Sequence, residues 1–419
     1  MEAVTARLIA VSLAVPDTRA PGRGGRIAAG TYDQDAVTLA VDAAAPLLEA
    51  EGITPSALVL ASVSNPFAEG GSAQVVAEAL GIHGELLVQE HCGSIAAGGA
   101  ALVAATTLAE VGRGPVLWIA TDARRDEDGR ALGDAACAAL LTRDDGASSG
   151  VARIVHLFST AEVVRERWRL DGATTVTDAD RSLRGFRPTS SFRERLASHG
   201  EAPPIVAEAD RPALDRVGVL GTAAPLVHGL LALPETAAAT TTPVGVSAGG
   251  VSHGFTLSPG PAATAAIAEL TSVIEGGHDA DWPSTPVVAG FDPYASQPRS
   301  WRERGQDLRL EGQRDQETGE VLFPPVPAPS APQHDPYRLA RIGTVLTFTR
   351  DHVFPYGGPL TMAVVELDGG GRFFGQVADV AEVAIGDRVM LVLRRLHDGG
   401  GLPHYFWKIR PTATPTVAD

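Results

Sequence analysis

Apolar residues recur at three- and four-residue steps through Asp35–Ala50, at Val37, Leu39, Ala40, Ala43 and Leu47, and predict an amphipathic helix. The unbroken apolar run Ala57–Ala61 (ALVLA) predicts a buried strand. Ser72–Leu80 reads as a helix closed by Gly81, and Leu86–Glu90 as another strand. Ser94–Val111 is a long Ala-rich helix. Val116–Thr121 (VLWIAT) and Ala135–Leu141 (AACAALL) follow as apolar strands. Strands alternating with helices in this way predict a largely parallel sheet covered on both faces. The charged, Arg-rich stretch Thr160–His199 breaks the alternation and reads as a helical excursion. The pattern resumes with a strand at Pro204–Val206, a helix at Gly221–Leu233, a strand at Val244–Ser247 and the segment Gly250–Leu257.

Near Phe291 the pattern changes. Pro293–Leu310 predicts a helical linker, and Phe323–Pro336 (FPPVPAPSAPQHDP) is too rich in proline for regular structure. Beyond it, Gly343–Thr349, Thr361–Leu367, Arg372–Gln376, Val389–Leu393 and Tyr405–Ile409 read as short strands between Gly/Asp turns, which fits a small β-barrel. Gly369-Gly370-Gly371 is a hairpin turn and not a phosphate loop, because no GK[ST] or helix follows.

Composition narrows this picture. A chain of 419 residues exceeds what one core usually supports, so several domains are expected. The net charge of −16 leaves no basic surface for a nucleic-acid partner. Lys408 is the one lysine, so the positive charge is almost wholly arginine. The two cysteines, Cys92 and Cys137, make neither a disulfide framework nor a metal-ligand pair, and no metal is expected. The N-terminal apolar run is too short for a signal peptide, and no apolar stretch approaches the roughly 20 residues of a membrane span. A cytoplasmic protein without membrane partners is expected.

Several phrases, in order, resemble hydroxymethylglutaryl-CoA synthases of the archaeal type: ASVSNPFAEGGSAQVVAEALGI (Ala61–Ile82), GSIAAGGAAL (Gly93–Leu102), VLWIATDAR (Val116–Arg124), GDAACAALL (Gly133–Leu141) and GVLGTAAPLVHGL (Gly218–Leu230). β-Ketoacyl synthase III and thiolase are related. The resemblance implies an α/β, five-layered αβαβα thiolase-like fold, built from two similar halves at 1–160 and 161–290, and usually a homodimer. The phrases GEVLFPP, RIGTVLTFT, MAVVELDGGGRFFGQV and AIGDRVMLVL resemble the OB-fold domain that accompanies acyl-CoA enzymes, placed here at 341–419. A zinc ribbon usually precedes that barrel. Residues 291–340 keep its FPP phrase at Phe323–Pro325 but carry no thiolate, so this segment is read as a linker with a degenerate ribbon.

The family attacks a thioester with a cysteine at a helix N-terminus, assisted by a histidine and a glutamate. Counting seven residues back from Leu102 places that cysteine at Ile95. Cys92 lies three residues earlier and reads either as a displaced nucleophile or as a small buried strand-end cysteine. Ser94 reads as an N-cap. The glutamate position, between Ser62 and Ser64, holds Val63. The histidine expected after Pro204–Val206 is replaced by Ala207-Glu208, where Glu208 is a candidate proton carrier. The asparagine position holds Val219.

Other residues have two readings each. His253, in GGVSHGFTL, is a candidate catalytic histidine at a pocket edge, or a satisfied polar group. His228 reads as a packing or surface residue, and Asp122, Arg124 and Arg125 as a solvated turn. His91 is a poor base for Cys92, since neighbouring strand residues point to opposite faces. Arg165–Arg195 could bind the phosphates of coenzyme A, or simply face solvent. Val63, Ser94, Ile95 and Val219 are taken to line the substrate pocket.

The resulting expectation is a condensing-enzyme homologue with altered or lost catalytic residues, acting on acyl-CoA or acyl-carrier-protein thioesters without a resident cofactor. The alternative is a non-catalytic partner of an active thiolase-type enzyme. Fold alone does not choose between them.

Overall fold

The computed structural model describes residues 4–22, 25–126, 128–146, 149–163, 167–168, 177–178, 189–200, 202–208, 214–233, 241–276, 280–281, 296–326, 333–352, 360–378, 382–399 and 402–412. The chain forms two compact units. The first holds Met1–Gly30, Asp35–Ala77 and Ile82–Trp282; the second holds Pro283–Asp419 with the short segments Thr31–Gln34 and Glu78–Gly81.

Chain order in the first part is β1 (Val4–Ala14), β2 (Thr18–Gly22), β3 (Gly25–Ala28), α1 (Ala36–Glu51), β4 (Ala57–Ala61), α2 (Ser72–Leu80), β5 (Leu87–His91), α3 (Ala97–Glu110), β6 (Val116–Arg125), β7 (Ala131–Thr142) and β8 (Ala152–Ala161). Then come β9 (Arg167–Trp168), β10 (Thr177–Asp178), α4 (Thr189–Ala197), β11 (Ile205–Ala207), α5 (Ala224–Leu231), β12 (Thr242–Ala248), β13 (Val251–Pro259), α6 (Ala263–Glu275) and β14 (Ala280–Asp281). Asp35 starts α1 through a capping box with Thr38, and Gly52 ends it in the left-handed conformation.

The main sheet runs β11-β12-β13-β8-β1-β7-β6-β4-β5. It is not largely parallel. Along this path only β11/β12, β4/β6 and β4/β5 are parallel. The tight connections β6–β7 and β12–β13 can join only antiparallel neighbours, and β1 and β8, which the pattern did not announce, are antiparallel as well. Side-chain alternation then stacks the layers. In β6, Thr121 Oγ1 donates to Ala36 O of α1, while the next residue, Asp122, faces the opposite side and receives Thr222 N. In β12, a Cβ on Gly245 would meet Phe192 of α4, whereas Val246 lies against Gly99 of α3. The order is therefore α1, first-half strands, α3 with α5, second-half strands, α4: the five-layered αβαβα thiolase-like arrangement. Most of the Arg-rich stretch 165–195 falls outside the described residues.

The second unit contains α7 (Gln297–Asp307), β15 (Glu311–Asp315), β16 (Val321–Leu322), β17 (His334–Arg338), β18 (Ile342–Asp351), β19 (Leu360–Leu367), β20 (Arg372–Gln376), β21 (Arg388–Gly399) and β22 (Leu402–Pro411). The last five form an antiparallel sheet in the order β20-β19-β18-β21-β22, and a bridge from Val377 to Ile409 draws its edges together into an OB-fold barrel. Phe373, Leu391, Leu393 and Trp407 are buried in its core. The proline-rich reading of Phe323–Pro336 is corrected at its C-terminal end. There His334–Arg338 pairs with Glu311–Asp315, and Pro336 sits opposite Gln313 on an edge strand, where its missing N–H is tolerated. Within this unit, the lone lysine Lys408 is buried and its Nζ lies 2.6 Å from Asp33 Oδ2.

Candidate functional site

Of the residues singled out by sequence, Ser94, Ile95 and His253 lie at the first turn of α3, whereas Glu208 does not. That turn is made of small residues because neighbours press against it on two sides. A Cβ on Gly98 would stand 1.9 Å from Thr222 O, and one on Gly99 would stand 2.5 Å from Val246 Cγ1 and 3.0 Å from His253 Cδ2. Both glycines are thus required by close approach, one to backbone and one to the β12–β13 pair. Ser94 precedes the turn but is not its N-cap, a position held by Ala96 without a side-chain cap. Its Oγ accepts from Ala96 N at 3.3 Å and donates to Ala248 O at 3.3 Å, tying the helix start to the β12–β13 hairpin.

Ile95 stands where the resemblance places the nucleophile, is only 4% exposed, and belongs to the main hydrophobic core. A hydrocarbon fills that position. Cys92 lies between β5 and Gly93 and is exposed, which corrects the reading of a buried strand-end cysteine. Cys137 is the buried one, in the middle of β7, where burial pushes its thiol far above the ordinary range.

Asp122 overturns the solvated-turn reading. It is 0% exposed, and Arg124 is also buried within β6, while Arg125 donates to Asp134 Oδ1 at 2.8 Å. Asp122 Oδ1 accepts from Val63 N at 2.8 Å and Ser62 Oγ at 3.3 Å. Its other oxygen, Oδ2, accepts from Thr222 N at 2.7 Å and Thr222 Oγ1 at 3.0 Å. One carboxylate therefore pins the Ser62–Ser64 loop to the loop that enters α5. Between them sit two of the altered positions: Val63, packed against the core, and Val219, whose N donates to Leu132 O at 2.8 Å. The sequence signal for Asp122 was a lone aspartate after an apolar strand, and it is indistinguishable from a strand-end turn until the partner loops are placed.

Ala207 is buried, and Glu208 accepts from Arg193 Nη2 of α4 at 2.8 Å. Its carboxylate is held in an ion pair. Across the sheet, Ala207 pairs with Val246, and Val246 with His253. Directly paired residues share a face, so His253 points to the same side as the vacated histidine position, two strands along and roughly 10 Å away at about 4.8 Å per strand.

His253 is 8% exposed, and its Nδ1 lies 2.8 Å from Ser159 Oγ, which in turn lies 3.0 Å from His156 Nε2. Nε2 of His253 is buried without a partner among the described residues, and so is Nε2 of His91. Burial, and then the neighbouring His156 and His91, hold the His253 imidazole down to about 4, so it is neutral near pH 7. A neutral imidazole fixed at one nitrogen and bare at the other can accept or donate a proton there. His228 is buried in α5, as the packing reading expects. Among the described residues no three His, Cys, Asp or Glu side chains gather to hold a metal ion, and no helix is long and apolar enough to cross a membrane.

Comparisons with known proteins agree with this architecture. Residues 336–394 match the family described as the ChsH2 C-terminal OB-fold domain. A hydroxymethylglutaryl-CoA synthase of Pyrobaculum aerophilum is 31% identical over 150 residues, 34% of this chain and 42% of that protein. The chain thus matches less than half the length of that relative. A DUF35 domain-containing scaffold protein of Methanocaldococcus jannaschii is 31% identical over 125 residues, 27% of this chain and 89% of that protein. Among solved structures, the HMG synthase of the curacin biosynthetic pathway, determined with acetyl donor-ACP, superposes with a TM-score of 0.53 at 14% identity, over 89% of this chain and 100% of that one. That likeness concerns the fold.

Proposed function

We propose, for a chain that belongs through its C-terminal OB-fold domain to the DUF35 family and has a thiolase-like HMG-CoA synthase body, that it handles acyl-CoA or acyl-carrier-protein thioesters without an acyl-cysteine, with His253 as the acid/base group. The observation carrying this reading is the placement of His253. It faces the first turn of α3 on the face that carries Ala207, neutral and with Nε2 unengaged among the described residues. The reaction class is proton transfer at the carbon next to the thioester carbonyl, with carbon–carbon bond making or breaking as its extension. Core-packed Ile95 speaks against covalent acyl transfer. No resident cofactor enters this scheme.

The test is exchange of the α-hydrogens of acetyl-CoA and longer acyl-CoAs in heavy water, followed by mass spectrometry, beside the intact mass of the protein. We expect exchange without an adduct, reduced about a hundredfold or more in His253→Gln. A stable acyl adduct lost in Cys92→Ala would overturn the proposal in favour of ordinary nucleophilic chemistry.

A second reading, a non-catalytic partner of a thiolase-type enzyme, is favoured by one observation: the DUF35 relative is named a scaffold protein. It predicts no exchange and co-purification with such an enzyme from the native host. Homodimerisation, expected from the resemblance, is checked by light scattering.

A further inference from the structure

We propose that Ser159 and His156 form a proton relay that connects the buried imidazole of His253 to solvent. The inference rests on the acid/base reading of His253 and assigns the route by which that group is emptied and refilled.

The geometry is a continuous chain. His253 Nδ1 to Ser159 Oγ is 2.8 Å, and Ser159 Oγ to His156 Nε2 is 3.0 Å, both within hydrogen-bond range. Strand pairing enforces it. Ser159 of β8 lies opposite His253 of β13, and a bulge after Gly254 brings His156 opposite Phe255, against whose ring it packs with centroids 5.5 Å apart. His253 is 8% exposed, whereas both Ser159, which is exposed, and His156, which is half-buried, reach solvent. A hydroxyl is too weakly basic to keep a proton, so Ser159 can pass one only by releasing its own to a second base. His156 Nε2 is that base.

Chemistry gives the relay a purpose. An imidazole held near 4 has little thermodynamic capacity to retain a proton taken from carbon. Burial lowers the His156 imidazole as well, so it is release to water at the end of the chain that relieves that limit. The step balances as follows. The substrate C–H bond breaks and its electron pair stays on the substrate as an enolate. The proton joins His253 Nε2, Nδ1–H passes to Ser159 Oγ, and the serine proton moves to His156 Nε2, which discharges to water. The titratable groups facing His253 are His156 and His91; Gly99 of α3 and Val246 of β12 bring none.

Nitrogen-15 NMR on the full chain tests the relay without substrate, and the 11 histidines keep the spectrum tractable. We expect Ser159→Ala and His156→Gln each to change the tautomer ratio of His253. The second variant does not remove His253's direct partner, so its effect must travel through the serine. Unchanged His253 nitrogens in both variants would overturn the relay. In the exchange assay, His156→Ala should fall about tenfold or more and regain rate with added imidazole buffer, a dependence the parent lacks; a merely structural histidine would not confer it. Exchange abolished in His253→Gln yet indifferent to Ser159→Ala and His156→Ala sinks the relay alone. No exchange by the parent protein, with His253 still coupled to His156 by NMR, sinks the acid/base reading alone.

Discussion

Replacing Asp122 by Asn tests whether one carboxylate holds the two loops of the site together. The substitution keeps the shape but turns one acceptor oxygen into an NH2 donor. Asp122 Oδ1 faces Val63 N and Ser62 Oγ, and Oδ2 faces Thr222 N and Thr222 Oγ1. Whichever way the amide sits, a backbone N–H meets a donor, while the hydroxyls can turn away, Thr222 Oγ1 towards Ala61 O at 3.3 Å. Each buried donor left unsatisfied costs about 1–3 kcal/mol. One such group gives a loss of about 1–3 kcal/mol. At roughly 2–4 °C per kcal/mol for a unit of this size, Tm falls by about 2–12 °C. Calorimetry of parent and variant reads the shift, and a cycle with Thr222→Val isolates the coupling across the loops. A fall below about 2 °C, or independent effects of the two substitutions, would refute the pinning role.

Other predictions concern accessibility and charge. Iodoacetamide on the folded protein should alkylate Cys92 and spare Cys137, as read by peptide mass spectrometry; equal labelling would contradict their exposures. Lys408→Met strands the buried Asp33 carboxylate within the OB-fold unit and should cost about 3–5 kcal/mol by denaturant unfolding, whereas a loss under 1 kcal/mol would show the pair to be dispensable. Burial raises the Asp33 carboxyl, but the charges of Lys408 and Arg394 and hydrogen bonds from Lys408 and Thr31 outweigh it and hold it below 3.8. Its contribution is therefore complete above the unfolded value and lost as pH falls through the depressed folded one, so acid titration of Lys408→Met should be flatter in that range. His253 shows a depressed histidine: between about 4 and 6.5 the unfolded chain binds the extra proton, so stability rises with pH across that window by up to about 3 kcal/mol. His253→Gln should remove much of that slope in pH-dependent melting; an unchanged slope would mean that the imidazole is not held neutral by burial.

Much of this protein was legible in the chain itself. Hydrophobic periodicity located α1, α2 and β4, because a core-facing stripe or run leaves its mark in local composition. The phrases spaced along 61–230 and 319–393 indicated both folds, and reading them position by position named Val63, Ile95, Ala207 and Val219. Sheet polarity was not legible: β1 and β8 are long, mixed strands whose antiparallel partners lie far away or across a bulge. Nor was the role of Asp122, since a buried carboxylate and a solvated turn use the same letters, and only the arrival of the Val63 and Thr222 amides distinguishes them. The sole lysine looked like a compositional accident until Asp33, 375 residues away, was found beside it. His253 was noticed from its glycine-rich surroundings, yet its register with Ala207 and its contact with Ser159 exist only once β8, β11, β12 and β13 lie side by side. Local sequence determines which residues face inward, because that depends on a period of two or 3.6; which inward residues meet depends on strand order, and strand order is decided by packing the whole chain.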